Sequence, residues 1–121
     1  MRYVSVVNVS TGEILAERAQ VAETIISRFI GLQGKRALPA KGGLVLLPNN
    51  GIHTLFMRMS IDVVFVSEAG LVVKVRQRLR PWRIGPVPPR ALYCVELPAD
   101  AAASTSVGHV IQLQAPQTPG S

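Results

Sequence analysis

Short β-branched and apolar runs, some partly alternating with polar residues, recur along most of this chain between turn-like segments, the pattern of strands. Residues 2–9, RYVSVVNV, are β-branched and partly alternating; STGE at 10–13 supplies a turn, and ILAERAQVA at 14–22 resumes the pattern, which predicts a hairpin. GLVLLP at 43–48 reads as a buried strand closed by the turn-like PNNG, and IHTLFM at 52–57 as a short extended segment. DVVFVS at 62–67 is the clearest strand. The turn Glu68-Ala69-Gly70 leads it into LVVKVRQRL at 71–79, where Val73 and Val75 alternate with Lys74 and Arg76. ALYCVELP at 91–98 and HVIQLQ at 109–114 predict two more strands, with ADAAASTSVG between them as a loop or short helical turn. RPWRIGPVPPR at 80–90 holds four prolines, too many for a central strand, and reads as an ordered loop or an edge crossing.

The period changes once. In IISRFIGL, Ile25, Phe29 and Leu32 fall at helical spacing and Ile26 and Ile30 widen the stripe. Thr24 offers an N-cap, and Gly31 and Gly34 offer stops. This predicts one principal helix at about 24–32. Together the elements predict an α+β, mostly β fold: a small antiparallel barrel-like or sandwich-like sheet with that helix plugging one side. Closure would remove the edges that so many apolar strands otherwise expose. Residues 1–114 read as a single β-rich domain and 115–121, APQTPGS, as a frayed tail.

Composition adds limits. A chain of 121 residues with 48% hydrophobic positions suits one folded domain rather than disorder. The formal charge of +6 favours anionic partners, although few of the basic residues are contiguous and the same charge can serve solubility alone. The single cysteine, Cys94, lies in the apolar alternation RALYCVEL and reads as a small core residue with an inert thiol. MRYVSVVNVSTGE is too polar for a signal peptide and no segment is apolar enough to span a membrane, so a cytoplasmic location is expected.

RFIGLQGKRAL (28–38), GGLVLLP (42–48), IHTLFMRMSIDVVFVSEAGLVVKV (52–75), LRPWR (79–83) and YCVELPA (93–99) occur in an order that resembles the bacterial and archaeal domain-of-unknown-function 192 family. The likeness runs from about residue 18 to 113 and rests on five elements in sequence, none diagnostic alone. It implies a small β-rich α+β fold and no established activity. Relatives often carry a leader or a lipoprotein-like N-terminus, which residues 1–13 are not expected to form. The family pattern falls on Arg28, Gly31, Leu32, Arg36, His53, Thr54, Met57, Asp62, Phe65 and Glu96. The chain departs from it at Asp100, where the family has Gly, at His109, where it has Asp after Gly108, and at Gln33.

Of these positions Arg28, His53, Asp62 and Glu96 are polar enough for chemistry. Asp62, at the start of an apolar strand, could act as a general base or orient His53. It could equally accept backbone N–H groups there or pair with Arg28 or Arg58. We expect it to be mainly structural, tethering its strand to the loop or helix that bears His53 or Arg28. His53 is a natural acid or base, or a ring closing its own turn. Thr54 reads as a local hydrogen-bonding group. His53, His109, Cys94, Asp62, Asp100 and Glu96 lack metal-ligand spacing, so no metal and no cofactor are expected.

The leading functional reading is a non-catalytic binding or accessory module. Its small polar pocket would be built from Arg28, His53, Thr54 and Asp62, open to a small anionic ligand or a partner protein. The second is a hydrolase-like enzyme with His53 and Asp62 as acid and base. The third is a nucleic-acid binder using Arg80, Trp82 and Arg83, weakened by the scarcity of aromatics for stacking.

Overall fold

The computed structural model describes residues 2–22, 41–46, 52–53, 60–80, 84–85 and 88–116. The first hairpin forms as the pattern predicts: β1 (Arg2–Asn8) pairs antiparallel with β2 (Glu13–Ala22). β3 (Gly42–Leu46) follows, then the two-residue β4 (Ile52–His53). β5 (Ile61–Ser67) and β6 (Val72–Leu79) form the second hairpin, turned at Gly70, whose φ of +86° is open to glycine at little cost. The proline-rich stretch contributes only the two-residue β7 (Ile84–Gly85), paired with β4. β8 (Ala91–Pro98) and β9 (Ile111–Gln114) complete the set.

Seven strands make one sheet in the order β6-β5-β8-β3-β2-β1-β9. Its two edge strands approach each other at one end. Leu71 bridges Val110, Val72 N donates to the His109 carbonyl (2.9 Å), Gly108 N to that of Val72 (2.9 Å), and Ile111 N to that of Gly70 (2.8 Å). The sheet is thereby curled into a half-barrel, which fits the barrel-like expectation.

Two parts of that expectation are corrected. The α+β class gives way to an all-strand architecture: among the described residues every regular element is a strand and no helix occurs. The helix expected at about 24–32 lies outside the described residues. Curling brings opposite walls of the sheet together around one apolar cluster that joins Val6, Leu15 and Ile111 to Val64, Val95 and Leu97. The sheet is also not purely antiparallel. β2 and β3 run parallel, with Arg18 opposite Gly42 and Val21 opposite Val45. The intervening chain, residues 23–41, exceeds the dozen or so residues that a parallel crossover needs.

A second cluster lies on the other face: Leu44, Leu46, Ile61, Val63, Phe65, Leu79 and Cys94. Burial on both faces explains why VVFV in β5 shows no alternation, since Val64 and Val66 enter one cluster while Val63 and Phe65 enter the other. Each such side chain contributes about 1.5–3 kcal/mol by leaving water. Gly43 is required where β3 meets β8: a Cβ there would sit 3.0 Å from the Glu96 carbonyl oxygen and 3.1 Å from Leu97 Cδ2. Lys74 and Arg76 lie on the edge strand β6, a placement that discourages edge-to-edge pairing between molecules.

Tyr93 enters the first cluster at 7% exposure, and burial pushes its hydroxyl up from 10.0 to about 12. A folded value above the unfolded one means that its stabilising effect is full below pH 10 and is lost as pH rises through about 12. Thermal melts of the parent should therefore fall more steeply between pH 10 and 12 than those of Tyr93→Phe. Parallel curves for the two proteins would contradict this.

Candidate functional site

Asp62 is the second residue of β5 and points toward the barrel interior, on the same side as Val64 and Val66. Its side chain is completely buried. Oδ1 accepts from Arg78 N at 2.9 Å and Oδ2 from Ala102 N at 2.9 Å. Both oxygens are thus engaged by backbone amides, one at the end of β6 and one in the turn after β8. Among the described residues, Arg78 and Ala102 are the contacts given to this carboxylate; the expected tether to the loop or helix bearing His53 or Arg28 involves side chains outside the described ones. Gln77 adds a third tie between the same elements, Nε2 to the Ala102 carbonyl at 3.3 Å.

Two residues around Asp62 hold left-handed backbone, Arg78 at φ +52° and Asp100 at φ +72°. They face each other as a two-pronged ion pair, Nε to Oδ1 at 2.7 Å and Nη2 to Oδ2 at 2.8 Å. The hydrogen bond from Arg78 is the main cause holding the Asp100 carboxyl below its usual range, and the Arg78 guanidinium is raised in turn. The pair is exposed, so it orients the turn more than it stabilises the fold. Asp100 stands where the resembled family has glycine. The positive φ explains that glycine, and aspartate is among the few residues that tolerate the region.

A second departure, His109, belongs to a separate polar network at the seam. Asn8 is fully buried, and its Oδ1 accepts from Ser10 N (3.0 Å) and Thr11 N (3.2 Å). That fixes Nδ2 as the donor, directed at Thr105 Oγ1 (3.1 Å) and His109 Nδ1 (3.1 Å). Nδ1 also accepts from Ser106 N at 3.1 Å, so the neutral ring carries its proton on Nε2. His109 therefore supplies an acceptor where the family pattern has the acceptor carboxylate of Asp.

Only some of the remaining candidates lie among the described residues. Glu96 is 3% exposed but lies opposite Val63 and Leu44, on the face away from Asp62. Those two carboxylates cannot act on one substrate. His53 pairs through its backbone with Ile84. Arg28, Thr54, Trp82 and Arg83 lie outside the described residues; Arg80 is exposed just beyond β6. Among the described residues no group of three His, Cys, Asp or Glu is placed to hold a metal ion, and no helix is long and apolar enough to cross a membrane. Cys94 is fully buried in the second cluster. Its thiol should react with Ellman's reagent only on unfolding; rapid stoichiometric labelling of the native protein would contradict that placement.

The sequence model of DUF192, described as uncharacterized ACR, matches residues 6–113. A UPF0127 protein of Pyrococcus furiosus is 36% identical over 106 residues, covering 83% of this chain and 88% of its own length. One from Pyrococcus horikoshii is 36% identical over 98 residues, covering 77% and 83%. Among solved structures, a protein of unknown function from Novosphingobium aromaticivorans superposes with a TM-score of 0.78 at 19% identity, covering 91% of this chain and 83% of that one. A protein of Sinorhizobium meliloti described as a proposed transcription regulator gives 0.74 at 17%, covering 92% of each. At such identities the two structures establish a shared fold.

Proposed function

The chain belongs to the DUF192 family, whose relatives here are uncharacterised, and from that premise we propose that it is a non-catalytic binding or accessory module. One observation carries the reading. The carboxylate best placed by sequence to be a general base, Asp62, is buried and already accepts two backbone amides. A base must reach the proton it removes, directly or through one water. Asp62 is instead part of the framework that joins β5, the end of β6 and the turn after β8. In this reading Arg28, His53 and Thr54 supply the polar, ligand-facing side chains, and Asp62 holds the architecture that carries them. The arginine-rich alternative draws little support from β6, where Arg78 is neutralised by Asp100.

The test is a turnover assay with chromogenic carboxylic and phosphate esters on the parent and on Asp62→Asn. No hydrolysis above the buffer rate is expected from either. Turnover by the parent that disappears in a folded Asp62→Asn variant would overturn the reading and establish the His53–Asp62 acid–base alternative.

A further inference from the structure

We propose that the groove between the start of β6 and the proline segment before β8 binds a small aliphatic carboxylate. The hydrocarbon body lies against Leu71, Val73, Pro88, Pro89 and Val107, and the carboxylate meets Arg90. This rests on the binding-module reading and gives it a second site and a ligand class.

The groove has a volume of about 450 Å³, within the usual range for small-molecule sites. Its apolar wall is abnormally open to water: Leu71 is 43% and Val107 66% exposed. These are not scattered residues. Leu71 bridges Val110, and Val9 N donates to the Val110 carbonyl, so Val9, Val110 and Leu71 form a continuous exposed apolar strip across the seam beside the groove. Contiguous apolar surface of this kind marks a binding site more often than isolated exposed side chains do.

The polar groups select the ligand. Val72 lines the groove with its N–H and C=O already bonded to His109 and Gly108. At Val72 a peptide would find no free backbone partner, whereas a hydrocarbon needs none. Arg90 is the only charged residue among the described lining residues. It makes no hydrogen bond or ion pair with any described residue. A guanidinium is always protonated and offers parallel N–H donors that match a carboxylate. The net charge of +6 draws the same sign of ligand toward the protein.

The experiment is titration of ¹⁵N-labelled protein with octanoate, with octan-1-ol and octylammonium as controls. Saturable shifts are expected at Leu71, Val73, Arg90, Val107 and Gly108. Affinity should rise by about twofold to fourfold per methylene from hexanoate to decanoate, as partial burial of each CH₂ requires. Arg90→Gln should weaken octanoate by about threefold to fivefold, the scale of an exposed ion pair, and leave octan-1-ol unchanged. Val107→Asp, at an exposed position, should keep the folded amide spectrum and abolish binding. The proposal is overturned by no groove shifts at about 10 mM octanoate, well past a millimolar Kd. It also fails if octylammonium binds as well as octanoate, or if a leucine-ended peptide shifts these amides and octanoate does not. Such failures leave the binding-module reading intact, because that reading fails only through turnover dependent on Asp62.

Discussion

Asp62→Asn is expected to melt on the order of 8–15 °C below the parent, corresponding to a loss of roughly 2–4 kcal/mol in a domain of this size. The carboxylate accepts from two amides, and its replacement carries one acceptor oxygen and one NH₂ donor. Whichever way the new amide is turned, a donor faces either Arg78 N–H or Ala102 N–H, in a side-chain site with no exposure to water. The cost is that of a charge-assisted bond plus a stranded buried donor. The effect spreads because each amide anchors something else. Arg78 is held in left-handed backbone, and Ala102 is the turn residue whose carbonyl receives Gln77. Differential scanning calorimetry and urea unfolding measure the loss. A variant that melts at or above the parent temperature would mean that Asp62 burdens the fold, as a strained functional group does, and would restore the His53–Asp62 pair as the leading site.

What the sequence reveals depends on whether its signal is local. Both hairpins are legible because each consists of two β-branched runs around a short polar turn, and Gly70 and the STGE turn lie where the chain reverses. The parallel pairing of β2 and β3 is not legible. It joins residues across a long connection, and Arg18 opposite Gly42 leaves no mark on either segment. A counting of hairpins therefore yields an antiparallel sheet. The helical spacing of Ile25, Phe29 and Leu32 falls outside the described residues, and period locates only an apolar stripe; the described core, all strand, is closed by the sheet's own curvature.

The candidate site divides along the same line. That Asp62 is buried follows from the apolar residues on both sides of it in sequence. Its partners do not follow, because they are main-chain amides of Arg78 and Ala102, and no side-chain identity announces a backbone donor. Asn8 is missed altogether, although NVST carries a signal: asparagine commonly accepts from the amides two and three residues on, as Ser10 N and Thr11 N do here. His109 is visible only as a departure from the family pattern. The structure gives that departure a chemical role, an acceptor toward Asn8 and Ser106.

Replacing Asn8 by alanine is expected to cost roughly 2–3 kcal/mol and about 8–12 °C in melting temperature, and to open the barrel at one place. Asn8 ends β1 and reaches Thr105 and His109 on the segment that closes the seam against β6. Alanine removes four hydrogen bonds at once, takes the amide donor from Thr105 Oγ1, itself buried, and leaves His109 Nδ1 with Ser106 N alone. Among the described residues the seam is otherwise held by three backbone bonds from Val72, Gly108 and Ile111 and by the Leu71–Val110 bridge. Amide hydrogen exchange should therefore show Val72, Gly108, Val110 and Ile111 losing protection before Val64 and Val95 in the interior strands, because local openings need not involve the whole fold. His109→Asp is the companion variant. It replaces one acceptor by another, the residue type the family pattern places there, and should stay within about 1 kcal/mol of the parent with seam protection unchanged. If Asn8→Ala leaves the seam amides as protected as the interior ones, Asn8 does not hold the closure; if His109→Asp unlatches it, the ring contributes something other than an acceptor atom.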